Sequence, residues 1–315
     1  MKILISDPLH EDGIKIFKDQ GFEVEVKTGL SPEDLKAAIK GVDGLVIRSG
    51  TKVTPDLLAA ADSLKVVGRA GTGLDNVDIP AATEKGVVVM NTPGQNSNAA
   101  AELAIGHIFA LSRHIARGYR GLKEGKWEKK QLRGREIKGK TLGIVGMGNI
   151  GRILAELGAG CKMKVIGFDP YLDDGEIKAR GAEPVSFEDL IVRADYVSIH
   201  VPKSKETASL FNAENLAKMR KGAYLINCAR GGIVDEEALC DALESGQLEG
   251  AALDVFEQEP LPADARILFR DDLTCTPHLG ASTFEAQVNV AVAVARQMCA
   301  YLKGGPAEFA VNAPS

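Results

Sequence analysis

Two doubly wound α/β domains, each with a parallel sheet covered on both faces, are the fold class this sequence predicts. Three observations carry it. Short apolar runs alternate with helical segments along the chain, the rhythm of parallel sheets. At 315 residues there is room for about two hydrophobic cores. A glycine fingerprint, Gly146-Met147-Gly148-Asn149-Ile150-Gly151, sits between an apolar run and a helical segment in the second half only.

In the first half, strands are predicted at 2–6, 22–27, 45–48, 64–68 and 87–91. Ser31 before Pro32 and Thr54 before Pro55 mark helix starts, a capping side chain followed by proline at the first helical position. The first strand runs into Asp7-Pro8-Leu9-His10 without a glycine cluster. Phosphate cannot approach such a backbone closely, so this half is a poor nucleotide site. A long helix is predicted over 97–117, with Leu103, Ile108, Leu111 and Ile115 on one side. His107 and His114, seven apart on it, read as one packed or interfacial face rather than a metal site. The stretch 113–140 is basic, with only three acids. It reads as a solvated face, a subunit contact or a source of positive field for an anionic substrate. Trp127, the single tryptophan, is expected at a domain or subunit interface. Six strands follow, at 142–145, 164–168, 196–200, 223–227, 250–255 and 273–276, enough for a full doubly wound nucleotide fold. The last helix is expected to start at Ser282, with Glu285 completing a capping box, and to stop at Gly304-Gly305-Pro306.

Composition narrows the class. Apolar residues at 45% and charged residues at 26% are ordinary for a globular protein, and a net charge of −5 argues against nucleic acid as a partner. No apolar run approaches the roughly 20 residues that span a bilayer. The N-terminus turns acidic too soon for a signal peptide. Five cysteines, at 161, 228, 240, 275 and 299, form no C-x-x-C pair. They suit a reducing cytoplasm, with no metal site expected.

The fingerprint has the context that gives it meaning. A strand precedes it, a helix follows, and the next strand ends at Asp169. Gly146 makes the tight turn, Gly148 lets backbone approach a pyrophosphate, and Gly151 lets the helix pack. Asp169 suits ribose hydroxyls and repels a 2′-phosphate, which predicts NAD rather than NADP. Downstream, Arg230, Glu259 and His278 each follow a predicted strand, at the end where ligands bind. Hydride transfer from an alcohol needs a base, a cation for the carboxylate or carbonyl, and an acid beside the base. His278 suits the first role, Arg230 the second and Glu259 the third, because a carboxylate stabilises the protonated ring and fixes its tautomer. His200 is a candidate cofactor neighbour at a strand end. His10 follows the first strand, and nothing singles it out.

The sequence resembles the D-isomer-specific 2-hydroxyacid dehydrogenases over nearly its whole length. The resemblance is carried by Gly68-Arg69-Ala70-Gly71-Thr72-Gly73-Leu74-Asp75-Asn76-Val77-Asp78, Met90-Asn91-Thr92-Pro93, the fingerprint, Asn227-Cys228-Ala229-Arg230-Gly231-Gly232-Ile233-Val234, Ala251-Ala252-Leu253-Asp254-Val255-Phe256 and His278-Leu279-Gly280-Ala281-Ser282. It implies a flavodoxin-like substrate-binding lid domain, 1–96 plus 285–315, and a Rossmann NAD-binding domain, 97–284, with substrate in the cleft between them. It also implies that Arg230, Glu259 and His278 are the catalytic set, and that Thr72, Asn149, Ile150, Val201, Pro202, Cys228, Ala229, Asp254, Gly280 and Ala281 are further cofactor contacts. Substrate anchoring falls to Arg48, Ser49, Arg69, Gly71 and Asn96, with Arg133 reaching in from a partner subunit, and a homodimer through the NAD domains is expected. The implied reaction is NAD-dependent oxidation of 3-phospho-D-glycerate to 3-phosphohydroxypyruvate, the first step of serine biosynthesis. Competing readings are a dehydrogenase of another D-2-hydroxy acid (hydroxypyruvate, glyoxylate or D-lactate) and an NAD-sensing, corepressor-like binding protein. Longer relatives continue into serine-binding regulatory domains. The resemblance ends about where those begin, which leaves open a short form or a shortened chain.

Overall fold

The computed structural model describes residues 1–312; residues 313–315, the end of the expected 285–315 segment, lie outside the described residues. The chain divides into two compact units, Met1–Asn96 with Ala281–Ser315, and Ser97–Gly280.

The first unit runs β1 (Lys2–Ile5), α1 (Glu11–Asp19), β2 (Glu23–Val26), α2 (Pro32–Ala38), β3 (Gly44–Ile47), α3 (Pro55–Ala60), β4 (Val66–Arg69), α4 (Ile79–Glu84) and β5 (Val88–Met90). Its five strands are parallel in the order β2-β1-β3-β4-β5, the flavodoxin-like winding. Ile3, Leu4 and Ile5 of β1 and Leu45, Val46 and Ile47 of β3 are all buried, so the strands read as unbroken apolar runs, as a sheet covered on both faces requires. Ser31 and Thr54 cap α2 and α3, accepting from Asp34 N–H and Leu57 N–H.

The second unit runs α5 (Ser97–Ser112), α6 (Ile115–Lys123), β6 (Thr141–Val145), α7 (Asn149–Gly160), β7 (Lys164–Phe168), α8 (Asp174–Ala179), β8 (Glu183–Pro184), α9 (Phe187–Arg193), β9 (Tyr196–Ile199), α10 (Ala213–Lys218), β10 (Ala223–Asn227), α11 (Glu236–Glu244), β11 (Leu248–Leu253) and β12 (Leu273–Cys275). The strands are parallel in the order β12-β11-β10-β9-β6-β7-β8. The last helix, α12 (Phe284–Leu302), returns to the first unit. A Cβ on Gly68 of β4 would lie 2.1 Å from Met298 Sδ, so α12 packs directly on that sheet.

Three expectations need correction. The 97–117 helix is two helices, because His114 adopts a left-handed conformation (φ 51°) between α5 and α6. The carbonyl of Ser112 is taken by Arg135 N–H, 2.8 Å away, which ends α5. His107 and His114 therefore do not share a helix face. A seventh strand, β8, lies at the sheet edge, where its two residues are too few to show a pattern and a proline is tolerated. The cap of α12 is Thr283, whose hydroxyl accepts from Ala286 N–H. Glu285 then falls at the second helical position, not the third that a capping box needs. Within the basic stretch, Arg117 pairs with Glu128, Arg120 with Asp271 and Arg135 with Glu249.

Trp127 is 81% exposed on this chain, over a small hollow it lines with Leu122 and Leu132. Among the described residues, no helix is long and apolar enough to cross a membrane, and no His/Cys/Asp/Glu group is arranged to hold a metal ion.

Candidate active site

The fingerprint forms the turn from β6 into α7. Gly146 has φ 95°, and a Cβ there would press on the His200 carbonyl at 2.6 Å. A Cβ on Gly151 would lie 2.1 Å from the Gly146 carbonyl oxygen, so only glycine lets α7 start this close to β6. Gly148 is different. It stands at the N-cap of α7 with no capping side chain, and a Cβ there would meet nothing within 4 Å. Asn149, Ile150 and Gly151 follow as the first turn, so open space faces the positive end of a twelve-residue helix. Asp169, after β7, accepts from Met147 N–H (2.9 Å) on one oxygen and Tyr171 N–H (3.0 Å) on the other. Each oxygen keeps a lone pair for a ribose hydroxyl. Arg180, which sequence reasoning passed over, donates to the Met147 carbonyl at 2.7 Å and holds the same residue from its other side. An open helix terminus with an acid at the end of the next strand fits a dinucleotide.

His200 follows β9, ahead of Val201 and Pro202. Its Nε2 lies 2.8 Å from Ser198 Oγ, and burial pushes its pKa from 6.5 down to about 4, so the ring is neutral near pH 7.

The loops after β10, β11 and β12 carry the expected catalytic set, and two of its members, Glu259 and His278, are in direct contact. Asn227 accepts from Ala229 N–H and donates to the Arg230 carbonyl, each at 3.0 Å, which shapes the Cys228-Ala229-Arg230 turn. Burial pushes the Cys228 thiol far up, so it is no nucleophile. Arg230 donates to the Ala229 carbonyl at 2.6 Å. A Cβ on Gly231 would lie 1.7 Å from the Phe256 carbonyl oxygen, so the Arg230 loop lies backbone to backbone on the loop after β11. There Phe256 N–H donates to Glu259 Oε1 at 3.0 Å, and Glu259 Oε2 meets His278 Nδ1 at 2.7 Å. With Nδ1–H donated to the carboxylate, Nε2 is left to accept a proton. His278 itself is left-handed (φ 54°), with its N–H on the carbonyls of Asp254 (2.9 Å) and Thr276 (3.0 Å).

Asp254, expected beside the cofactor, is fully buried and committed to this loop. Its Oδ1 accepts from the Thr276 hydroxyl (2.6 Å) and Leu279 N–H (2.7 Å), and its Oδ2 from Gly280 N–H (2.8 Å).

The substrate candidates of the first unit lie at or after the carboxyl ends of β3 and β4, except Asn96, which follows β5. Arg48 and Ser49 follow β3, and the Arg48 N–H is held by Asp7 at 2.6 Å. Ala70 N–H donates to the Ile47 carbonyl at 2.8 Å, which brings the Arg69 turn beside them. A Cβ on Gly71 would lie 1.9 Å from an Arg69 guanidinium nitrogen, so the missing side chain is what lets the guanidinium rest there. The Thr72 hydroxyl donates to Asn96 Oδ1 at 2.8 Å. Thr72 and Ala281 belong to the first unit, unlike the other cofactor candidates. Arg133 lies in the second unit. With Arg117, Arg120 and Arg270 it lines a cavity of about 610 Å³ that the triad does not line.

Residues 105–280 match the family model described as "D-isomer specific 2-hydroxyacid dehydrogenase, NAD binding domain". The chain belongs to the D-isomer specific 2-hydroxyacid dehydrogenase family. The family's domain binds NAD, in keeping with the cradle at Gly148. The chain is 47% identical over its full length to D-3-phosphoglycerate dehydrogenase of Methanocaldococcus jannaschii and 48% identical over 99% of it to that of a Synechocystis strain. It spans 60% and 56% of the lengths of these two family members. Among solved family structures, the NAD-bound 3-phosphoglycerate dehydrogenase of Entamoeba histolytica is 33% identical, with a TM-score of 0.84 and 99% of each chain covered.

Proposed function

We propose that this chain catalyses the NAD-dependent oxidation of 3-phospho-D-glycerate to 3-phosphohydroxypyruvate, the first step of serine biosynthesis. The observation that carries the reading is the 2.7 Å bond between His278 Nδ1 and Glu259 Oε2, in the same unit as a dinucleotide cradle. The names of the relatives support the substrate.

Bound NAD supplies the acceptor for the hydride that leaves C2. His278 takes the hydroxyl proton at Nε2, while Glu259 holds Nδ1–H and stabilises the charged ring. Arg230 holds the carboxylate and draws electron density from the C2 oxygen as the carbonyl forms. Arg48 and Arg69 bind the phosphate, with Ser49, Gly71 and Asn96 beside them, which makes the first unit the substrate-binding one. Arg133 is contributed by a second copy in a homodimer, and the enzyme works in the cytoplasm.

The test is turnover with NAD on 3-phospho-D-glycerate, D-glycerate and D-lactate. Charge-assisted bonds to the phosphate predict a kcat/KM preference for the phosphorylated acid of about a hundredfold or more. A preference for D-glycerate or D-lactate overturns the substrate assignment. Absence of turnover on all three overturns the enzymatic reading.

A further inference from the structure

A partly buried line of hydrogen bonds, which the proposed reaction does not use, runs to the His278 loop. It starts at His107 on α5, which is 4% exposed, and passes from Nε2 to Thr276 Oγ1 over 3.1 Å. It continues from Thr276 to Asp254 Oδ1 at 2.6 Å, and from the Asp254 carboxylate to the N–H groups of Leu279 and Gly280. Those are the two residues that follow His278.

We propose that His107 is a positioning residue for the catalytic base, holding the His278 loop in place through Thr276 and Asp254. The inference rests on the reading of His278 as the base. The direction of each bond follows from chemistry. The Thr276 hydroxyl donates its one hydrogen to Asp254 Oδ1. Thr276 Oγ1 can then only accept from His107, which must carry its hydrogen on Nε2. Burial disfavours the charged imidazole, so the ring is neutral and that one hydrogen is its contribution.

A donor at this point does two things. It fixes the rotamer in which Thr276 aims its hydrogen at Asp254. It also polarises the hydroxyl and strengthens the next bond in the line. The loop needs such support because His278 is left-handed, a conformation that a non-glycine residue keeps only when its surroundings impose it. Three successive hydrogen bonds thus tie His107 to the two residues that follow the base.

The experiment uses the full chain and three variants. His107→Phe keeps a ring and loses the donor, His107→Gln puts an N–H₂ where Nε2 stood, and Thr276→Val keeps shape and loses the hydroxyl. Amide hydrogen exchange at Leu279 and Gly280 is read by NMR, alongside kcat, the KM for NAD and thermal melting. In the Phe and Val variants exchange is expected to quicken several-fold and kcat to fall roughly three- to tenfold, the effect of one lost net hydrogen bond, with the KM for NAD unchanged. The Gln variant should restore both to within about twofold. Unchanged exchange in the Phe and Val variants, or a lower kcat without faster exchange, overturns the proposal. So does a Gln variant as impaired as Phe. Wild-type protein inactive on every 2-hydroxy acid, with exchange still quickened by His107→Phe, would sink the catalytic reading and leave the loop clamp standing.

Discussion

Replacing Asp254 by asparagine should both destabilise the protein and disable it. The carboxylate accepts three hydrogen bonds in a site with no solvent exposure. An amide keeps one acceptor oxygen and turns the other into a donor. In its better orientation the oxygen retains Thr276 and Leu279, and the N–H₂ faces Gly280 N–H, donor against donor. One charge-assisted bond is lost and a buried N–H is stranded, together about 2–3 kcal/mol. That is a large share of the roughly 5–15 kcal/mol that holds a domain together. The freed strand-end loop carries His278, so turnover should fall about tenfold or more through misplacement of the base. Urea unfolding and steady-state kinetics of Asp254→Asn test this. Stability within about 0.5 kcal/mol of wild type, together with undiminished turnover, would show that the Asp254 carboxylate does not hold the loop.

Three further outcomes are expected. Gly148→Asp fills the open space at the start of α7 with an N-cap that also repels phosphate; calorimetry should show NAD affinity down at least about tenfold with no loss of thermal stability, and unchanged affinity would count against the cradle. Arg48→Ala should raise the KM for 3-phospho-D-glycerate roughly tenfold or more while NAD affinity holds; an unmoved KM removes Arg48 from the phosphate site. His200 makes stability pH-dependent. Its pKa falls from 6.5 to about 4 on folding, so between those values the unfolded chain binds more protons. Its contribution is complete above 6.5 and is lost as pH falls toward 4, about 3 kcal/mol in all. Urea midpoints at several pH values should show a shallower acid decline in His200→Asn, and an identical decline in both proteins would exclude His200 as its source.

Much of the fold was legible because it rests on local signals. Buried parallel strands show as unbroken apolar runs such as 3–5 and 45–47, and Ser31-Pro32 and Thr54-Pro55 announce their helices. The cradle was legible because glycine is demanded by contacts a few residues away, as between Gly151 and the Gly146 carbonyl. What escaped was set by partners far along the chain. The end of α5 depends on Arg135 reaching the Ser112 carbonyl, with no glycine or proline to mark it. The line from His107 through Thr276 to Asp254 joins residues 107, 276 and 254, and no spacing rule links them. A threonine two residues before a strand-end histidine was the one available hint. Arg180 was likewise invisible, because its partner is a backbone carbonyl 33 residues earlier.

The role proposed for His278, held by Glu259, is that of the base for hydride transfer from a 2-hydroxy acid to NAD. Its most direct test is NADH formation from 3-phospho-D-glycerate by wild type and His278→Ala, with NAD affinity measured on both by calorimetry. Turnover should be lower by roughly 10²–10⁴-fold in the variant, with NAD bound as tightly as before. Turnover by His278→Ala at the wild-type rate would contradict it.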